Sequence, residues 1–225
     1  MTPTLYLGPR NYSSWSLRPW LVLRWGNINF EEQFIALDQP GYGRGQIVAV
    51  KAVSPNGKVP ALQHNGTTIW DSLAISEWAA EQNAELWPHD PAVRAVARAA
   101  TAEMHAGFEG IRREMPMNIQ RRKTHDQWSE DTERDLSRLF ELWQNCRTTY
   151  ADVGPWLFGT RSIADAFYTP VATRLRTYDI GLDDVCQAYV NTLLQDQDFQ
   201  AWEHDCVSDV WDKPGYPVLD KLYDE

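Results

Sequence analysis

Short apolar runs and helically spaced apolar positions alternate along the first 82 residues. The runs at 4–7, 30–37, 59–63 and 67–70 predict four strands, and those at 16–25, 46–53 and 71–81 predict three helices. The last two strands are joined through His64-Asn65-Gly66, and Asn-Gly is a turn dipeptide that accepts positive φ. The order β-α-β followed by α-β-β-α predicts a mixed sheet covered by helices.

The pattern changes at 83–91, a segment with two prolines and no helical period that is typical of a linker. Beyond it the apolar spacing is helical almost throughout, which predicts a second domain made of helices. The predicted helices span 92–114, 128–150, 163–175, 185–194 and 198–206. The tail at 211–225 contains two prolines and a glycine, so we expect it to pack irregularly over this second domain.

Composition narrows the classes of partner. With 225 residues, 43% of them hydrophobic, the chain is long enough for two small domains. Its 31 acidic and 21 basic residues give a net charge of -10, which repels nucleic acid and anionic lipid surfaces. No apolar stretch approaches the roughly 20 residues of a membrane span, and the first ten residues lack the apolar core of a secretion signal. We therefore expect a cytoplasmic protein.

The cysteines and histidines suggest neither disulfides nor metal. Cys146, Cys186 and Cys206 are an odd number without C-x-x-C pairing, so we expect reduced thiols with mostly structural roles. His105 has no second histidine at ligand spacing, and His64 belongs to no metal motif, so no metal site is predicted.

A run of hydroxyl side chains stands where the first strand leads into the first helix. Residues 11–18 read Asn-Tyr-Ser-Ser-Trp-Ser-Leu-Arg. A helix N-terminus favours an anion, and a serine hydroxyl placed there can donate a hydrogen bond to a thiolate. Lowering the pKa of a thiol from about 8.5 to 6 or 7 needs only about 2 to 3 kcal/mol, which these two features can supply. The alternative is that Ser13 or Ser14 merely caps the helix.

A proline interrupts the third predicted strand. Residues 54–62 read Ser-Pro-Asn-Gly-Lys-Val-Pro-Ala-Leu. A cis bond between Val59 and Pro60 would turn the backbone outward and leave the N–H and C=O of Val59 free to pair with an extended peptide ligand. A trans proline at the start of a strand is the alternative.

The start of the helix at 71–81 is a third candidate segment. The carboxylate of Asp71 suits an amino group, and the N–H and hydroxyl of Ser72 suit a carboxylate, so the pair matches the two charges of an α-amino acid. An ordinary helix cap explains the same two residues.

In this order and spacing, the three segments resemble the glutathione transferase superfamily over essentially the whole chain. Residues 13–18 are most similar to the Ser-Ser-Cys-Ser-Trp-Arg motif of the zeta class, which includes maleylacetoacetate isomerases, and to related bacterial transferases. The resemblance implies an α/β thioredoxin-like N-terminal domain, a mixed four-stranded sheet with three helices, joined to an all-α C-terminal domain. We expect these domains at 1–82 and 92–225, with the linker at 83–91.

The resemblance also implies roles for the residues that match the family's segments. Ser13 would be the catalytic hydroxyl, with Ser14 as its nearest competitor. Val59 would pair with the cysteinyl backbone of glutathione and Lys58 with the glycine carboxylate, while Asp71 and Ser72 would hold the γ-glutamyl head. The complete set of residues expected to bind glutathione, the co-substrate, is Tyr12, Trp15, Ser16, Arg18, Lys58, Val59, Pro60, Asp71 and Ser72.

The second half agrees with the same family. Residues 162–165, Ser-Ile-Ala-Asp, form a helix capping box, which in this superfamily opens the central helix of the C-terminal domain and serves folding. Candidates for the second-substrate pocket recur at helical spacing on the first helix after the linker, and domain-interface packing is the alternative for each. They are Met104, His105, Phe108, Ile111 and Arg112.

The expected reaction is transfer of the glutathione thiol to an electrophilic carbon of a hydrophobic compound, as in detoxification, by a homodimer. Trp15 replaces the cysteine of the zeta motif and Asp71 replaces a glutamine, which argues against maleylacetoacetate isomerisation. Another glutathione-dependent isomerase or an ether-cleaving enzyme stays open. Thiol-disulfide exchange fits less well, because it needs a cysteine at the helix start. A non-catalytic binding protein with the same fold is the alternative from another class.

Overall fold

The computed structural model describes residues 1–125, 127–150 and 154–208, so the predicted irregular tail at 211–225 lies outside the described residues. The strands are β1 (Thr4–Leu7), β2 (Glu31–Phe34), β3 (Ala61–His64) and β4 (Thr67–Ile69). They form one mixed sheet in the order β2-β1-β3-β4. β1 is parallel to β2 and antiparallel to β3, and β3 is antiparallel to β4. This is the predicted four-stranded mixed sheet.

The hairpin between β3 and β4 turns at the predicted dipeptide. Asn65 and Gly66 both have positive φ, 49° and 77°, which the Asn-Gly sequence accepts. The strand predicted at 30–37 is shorter than expected, because β1 offers only four residues for β2 to pair with.

Helices alternate with the strands in the first half of the chain, and the second half consists mainly of helices. The helices of the first half are α1 (Ser14–Trp25), α2 (Val48–Lys51) and α3 (Ser72–Gln82). After a single 3₁₀ turn at Ala84–Leu86 in the predicted linker, the second half forms α4 (Pro91–Ala106), α5 (Glu109–Glu114), α6 (Glu130–Tyr150), α7 (Ile163–Thr177), α8 (Asp184–Leu194) and α9 (Gln197–Ser208). The helical second half agrees with the predicted fold class.

The single helix predicted at 92–114 is wrong, because the chain forms α4 and α5 there. Phe108 between them adopts the left-handed conformation, with φ 60°. The carboxylate of Asp135 on α6 then accepts hydrogen bonds from the backbone N–H groups of Gly110 at 2.8 Å and Ile111 at 3.2 Å, which satisfies the first turn of α5. The apolar spacing continues across the break, so periodicity alone predicts one helix.

α1 lies between the two halves of the molecule. It packs against α3 on the side of the sheet and against α7 and α9 of the helical half. All its residues except Trp15 and Arg24 are buried as a result. The helix begins earlier than predicted, because the Ser13 hydroxyl accepts a hydrogen bond from the Ser16 N–H at 3.3 Å and so caps the first turn.

The carboxylate of Asp196 ties the last described helix, α9, to α1. It accepts hydrogen bonds from the indole N–H of Trp25 at 3.1 Å and from the Arg161 guanidinium at 2.7 Å. It also accepts from the backbone N–H groups of Asp198 and Phe199, both at 3.1 Å, and thereby caps α9. One buried acid therefore holds the start of α9 against the end of α1.

The capping box predicted at the start of α7 is confirmed. The carboxylate of Asp165 accepts hydrogen bonds from the N–H of Ser162 at 2.8 Å, the N–H of Leu157 at 3.0 Å and the hydroxyl of Tyr189 at 2.8 Å. Burial raises the pKa of Asp165 to about 6, although these hydrogen bonds act in the opposite direction. The box therefore joins α7 to α8 and to the segment before α7, in addition to capping a helix.

The three cysteines are buried, in agreement with the structural role expected of them. Burial raises the pKa of Cys146 to about 11 and that of Cys186 to about 12, so these thiols are poorly reactive at neutral pH. None of the helices in the described ranges combines the length and the apolar composition that crossing a membrane requires.

We predict that Asp165→Ala lowers the free energy of unfolding by at least about 3 kcal/mol, because it leaves buried donors without their acceptor. Asp90→Ala is the matched control: it removes an exposed cap that accepts from Ala92 and Val93, and should cost only about 1 kcal/mol. Urea unfolding of both variants measures the difference. Equal losses would show that the Asp165 box is no more than an ordinary cap.

Candidate functional site

A cavity of about 310 Å³ opens at the N-terminus of α1. Its walls come from the residues that enter α1, from the glycine-rich loop at 41–45 and from the turn at 57–59. Its volume lies at the lower end of the range of small-molecule sites. Five of the residues predicted to bind glutathione or activate its thiol line this one cavity: Tyr12, Ser13, Trp15, Lys58 and Val59.

The two candidate catalytic serines occupy different positions. Both side chains are largely buried, but Ser13 lines the cavity and Ser14 does not. The Ser13 hydroxyl is hydrogen bonded to the Ser16 hydroxyl at 2.8 Å, and the Gly8 N–H donates to the Ser16 oxygen at 3.0 Å. The structure thus places Ser16 directly behind Ser13, where it can orient the Ser13 hydroxyl.

The opposite wall depends on a close approach between two glycines. Gly57 has φ +67°, and a Cβ atom at this position would lie 2.2 Å from the carbonyl oxygen of Gly45. The bond between Val59 and Pro60, which follow this turn, is cis, as the interrupted strand suggested. Lys58 is exposed at the rim, and its N–H donates to the Asn56 side chain at 3.0 Å.

The sequence did not predict a role in a site for the segment at 39–45, although this segment forms part of the cavity wall. Gly41, Gly43 and Gly45 all have positive φ, and Tyr42 between them lines the cavity. The alternating glycines could have indicated this role, because glycine is the residue that allows positive φ and a close approach of the backbone to a ligand or to another segment. The other lining residues that were not predicted are Leu37, Ile47 and Val50.

Asp71 and Ser72 stand at the start of α3. One carboxylate oxygen of Asp71, Oδ1, accepts from the N–H groups of Leu73 at 2.9 Å and Ala74 at 3.4 Å, so Asp71 is the helix cap. The Ser72 side chain is completely buried, and its hydroxyl oxygen has no hydrogen-bond partner among the described residues. Helix capping therefore explains the position of Asp71 Oδ1, but it does not explain why the hydroxyl of Ser72 is buried without a hydrogen-bond partner.

Trp15 connects the cavity with the helical half. Its ring lies 4.4 Å from the guanidinium carbon of Arg18 and 4.9 Å from that of Arg112, and His105 meets it edge-on at 5.4 Å between ring centroids. Arg18 also lies 4.9 Å from the ring of Phe167. The negative faces of aromatic rings stabilise cations placed over them. Trp15 is thus held in place by positively charged groups from α1 and α5.

Arg18 is completely buried, and within the described part of the chain its three guanidinium nitrogens have no hydrogen-bond partner. Burial lowers its pKa well below the ordinary value, and the charges of Arg112 and Arg174 lower it further, whereas Asp71 and Tyr168 act in the opposite direction. Arg18 therefore supports Trp15 from behind the cavity.

Residues 12–82, which include the entrance to α1, the glycine-rich loop and Asp71, match the glutathione S-transferase N-terminal domain. The sheet order and the helical half complete the fold of these enzymes.

Residues 12–82 belong to the glutathione S-transferase N-terminal domain family.

Similarity to curated maleylacetoacetate isomerases covers only part of each sequence. Maleylacetoacetate isomerase from mouse (Mus musculus) is 30% identical over 130 residues, which cover 57% of this chain and 59% of the mouse protein. The chain spans between about half and three fifths of the length of the curated relatives it matches.

Two solved transferase structures extend the likeness to nearly the whole chain. A glutathione transferase homologue from Burkholderia with bound glutathione has a TM-score of 0.71 at 22% identity, covering 93% of this chain and 100% of that one. A maleyl pyruvate isomerase, described as a bacterial zeta-class transferase, has a TM-score of 0.67 at 20% identity, with coverages of 90% and 97%. At such identities the structures establish the fold, a thioredoxin-like domain with an all-helical domain. The curated relatives and the second structure point to the zeta side of the superfamily.

The residues predicted for a second-substrate pocket separate into two groups. They do not share one helix as predicted, because Phe108 breaks it. Met104, Phe108 and Ile111 are buried in the hydrophobic core, which favours the packing interpretation for them. His105 and Arg112 are partly exposed and contact Trp15, so they remain candidates. Arg112 is itself anchored by a hydrogen bond from its Nε to the Gly107 carbonyl at 2.8 Å.

Across the residues described here, no cluster of three or more His, Cys, Asp or Glu side chains is arranged to hold a metal ion.

We predict that Gly57→Ala destabilises the protein by clearly more than Gly66→Ala. Both glycines have positive φ, so each substitution should cost about 1 kcal/mol for the backbone conformation alone. Only at Gly57 does the added methyl group strike Gly45, whereas a Cβ at Gly66 meets nothing within 4 Å. Thermal unfolding of the two variants checks this. Equal losses of stability in the two variants would mean that the backbone around Gly45 moves away from the added methyl group at no cost in free energy.

Proposed function

We propose that this chain is a glutathione transferase that binds glutathione in the cavity beside α1 and ionises its thiol with the hydroxyl of Ser13. The observation that carries the proposal is the position of Ser13: it lines the cavity, caps α1 and is hydrogen bonded to a second hydroxyl behind it. A thiolate placed there gains a hydrogen bond and the field of the helix N-terminus, and both stabilise negative charge.

The hydroxyl pair explains how Ser13 can donate to a ligand while it is hydrogen bonded to Ser16. Each hydroxyl is both a donor and an acceptor, so the 2.8 Å contact can run in either direction. With a thiolate in the cavity, the Ser16 hydroxyl donates to the Ser13 oxygen, and the Ser13 hydrogen turns to the sulfur. The Gly8 N–H holds the Ser16 oxygen throughout. Ser16 is thus a positioning residue for Ser13.

The remaining contacts are assigned by the chemistry of each group. The backbone of Val59 pairs with the cysteinyl backbone of glutathione, and Lys58 at the rim pairs with the glycine carboxylate. The buried hydroxyl and the N–H of Ser72 take the γ-glutamyl carboxylate, which supplies the partner that the Ser72 hydroxyl otherwise lacks. Asp71, through the oxygen that does not cap α3, takes the amino group.

The bound thiolate attacks an electrophilic carbon of a second substrate that lies towards Trp15, His105 and Arg112. The sulfur–carbon bond forms as a leaving group departs or as a carbon–carbon double bond takes up a proton, and glutathione ends in the product. The protein supplies orientation and thiolate stabilisation. A homodimer and a hydrophobic electrophile remain part of the proposal by family resemblance.

Glutathione-dependent isomerisation is a second candidate, favoured by the names of the curated relatives, which are maleylacetoacetate isomerases. In that reaction the same thiolate adds to a double bond and is expelled after rotation, so glutathione is regenerated. Product analysis separates the two: a stable glutathione conjugate indicates transfer, and a rearranged substrate with unchanged glutathione indicates isomerisation. Ether cleavage would release a substituted phenol or alcohol from the electrophile.

We predict that the thiol of bound glutathione has a depressed pKa in the wild type and in Ser14→Ala, and a clearly higher pKa in Ser13→Ala, where only the field of the helix N-terminus remains. Thiolate absorbance followed from about pH 5 to 9 measures this. Turnover of an activated aryl halide should fall about a hundredfold to a thousandfold in Ser13→Ala, as when one donor to a developing anion is removed.

S-methylglutathione, which has no thiol to ionise, is the control for correct folding of the site. Its affinity should be nearly the same for Ser13→Ala and the wild type. If the thiol of wild-type-bound glutathione titrates as it does in water, Ser13 activates nothing and a non-catalytic binding role is favoured.

A further inference from the structure

A histidine and a carboxylate from the two halves of the molecule meet where the proposed function places the amino group of glutathione. His105 on α4 places its Nε2 atom 3.0 Å from Oδ2 of Asp71, the cap of α3. The other oxygen of this carboxylate is already held by the backbone of α3. His105 therefore contacts the same oxygen that remains for an incoming amino group.

Geometry leaves room for a third group at this oxygen. The Asp71 side chain is 45% exposed and that of His105 is 21% exposed, so the imidazole covers one side of the carboxylate and the other side stays open. A carboxylate oxygen has two lone pairs and can accept a second hydrogen bond. An ammonium group can therefore join Asp71 without displacing His105.

The hydrogen-bonding capacity of each group fixes the state of the imidazole. An ionised aspartate only accepts, so Nε2 of His105 carries the hydrogen that lies between them. In the neutral ring the Nδ1 atom then has a lone pair, and this atom is buried without a hydrogen-bond partner in the described residues. A proton taken up at lower pH goes to Nδ1 and makes the ring a cation.

The charges around His105 come from three elements. Asp71 faces it from α3, Arg18 from α1 and Arg112 from α5, while Trp15 and Phe167 supply uncharged ring contacts. Burial lowers the pKa of His105 most; Asp71 raises it, and the two arginines lower it further, so that it lies below its ordinary value. At neutral pH the ring is therefore uncharged and leaves the negative charge of Asp71 available.

We propose that His105 is a positioning residue that shares Asp71 with the amino group of glutathione, so that a proton on His105 opposes glutathione binding. Neutral His105 orients the carboxylate by one hydrogen bond and does not neutralise it. Protonated His105 places a second cation beside the ammonium group and satisfies the charge of Asp71 itself. The inference rests on the proposed function, because it needs glutathione in the cavity with its amino group at Asp71.

The test uses S-methylglutathione, whose missing thiol removes the only group of the ligand that titrates near neutrality. Calorimetry should give a dissociation constant about two to five times higher at pH 5.5 than at pH 7.5, because a histidine with a lowered pKa is only partly protonated at pH 5.5. His105→Gln keeps a neutral N–H donor and cannot titrate, so its own affinity should change little between pH 7.5 and pH 5.5. His89→Gln, at an exposed histidine, should keep the full wild-type response.

A second measurement uses the wild-type protein, so its result does not depend on whether the His105→Gln variant folds correctly. If protonation of His105 opposes binding, linkage requires that S-methylglutathione lower the pKa of His105, which NMR titration of the imidazole reads directly. A pKa that stays constant or rises on binding overturns the inference, as does a pH response that survives in His105→Gln. If S-methylglutathione fails to bind the wild type at pH 7.5, the proposed function itself fails.

Discussion

Burial of α1 between the sheet and the helical half is the constraint on which the rest of the structure depends. Because α1 faces α3 on one side and α7 and α9 on the other, its apolar surface leaves water only when both halves are in place. Ser13 caps this same helix. The packing that joins the halves therefore also sets where the hydroxyl of Ser13 lies relative to the cavity, and stability and chemistry have one origin.

Local patterns predicted most of the fold and the centre of the candidate site. Short apolar runs and Asn65-Gly66 were enough for the sheet, and clustered serines were enough for the entrance to α1. What they missed depends on contacts between distant parts of the chain. The turn at Phe108 is supported by Asp135 from another helix, and the pairing of His105 with Asp71 joins two halves. The spacing of apolar residues within one segment does not predict a contact with a distant segment.

The boundary between the two halves holds positive charge from both of them, Arg18 on α1 and Arg112 on α5, at an energetic cost. Arg18 is buried without a hydrogen-bond partner in the described ranges, and its charge is offset mainly by the faces of Trp15 and Phe167 and by the field of Asp71. Arg112 contacts Trp15 as well. Residues that stabilise the interface and residues that face a ligand are therefore electrostatically coupled, and Trp15 belongs to both groups.

The contact between Gly57 and Gly45 brings backbone against backbone, with no side chain in between. A pocket bounded in this way cannot be widened there by trimming a side chain or narrowed by enlarging one. Its width at that wall is a property of how many residues the loop contains and how they fold. Reshaping this side of the pocket therefore requires residues to be inserted or removed, while the wall that carries Trp15 can be changed by point substitution.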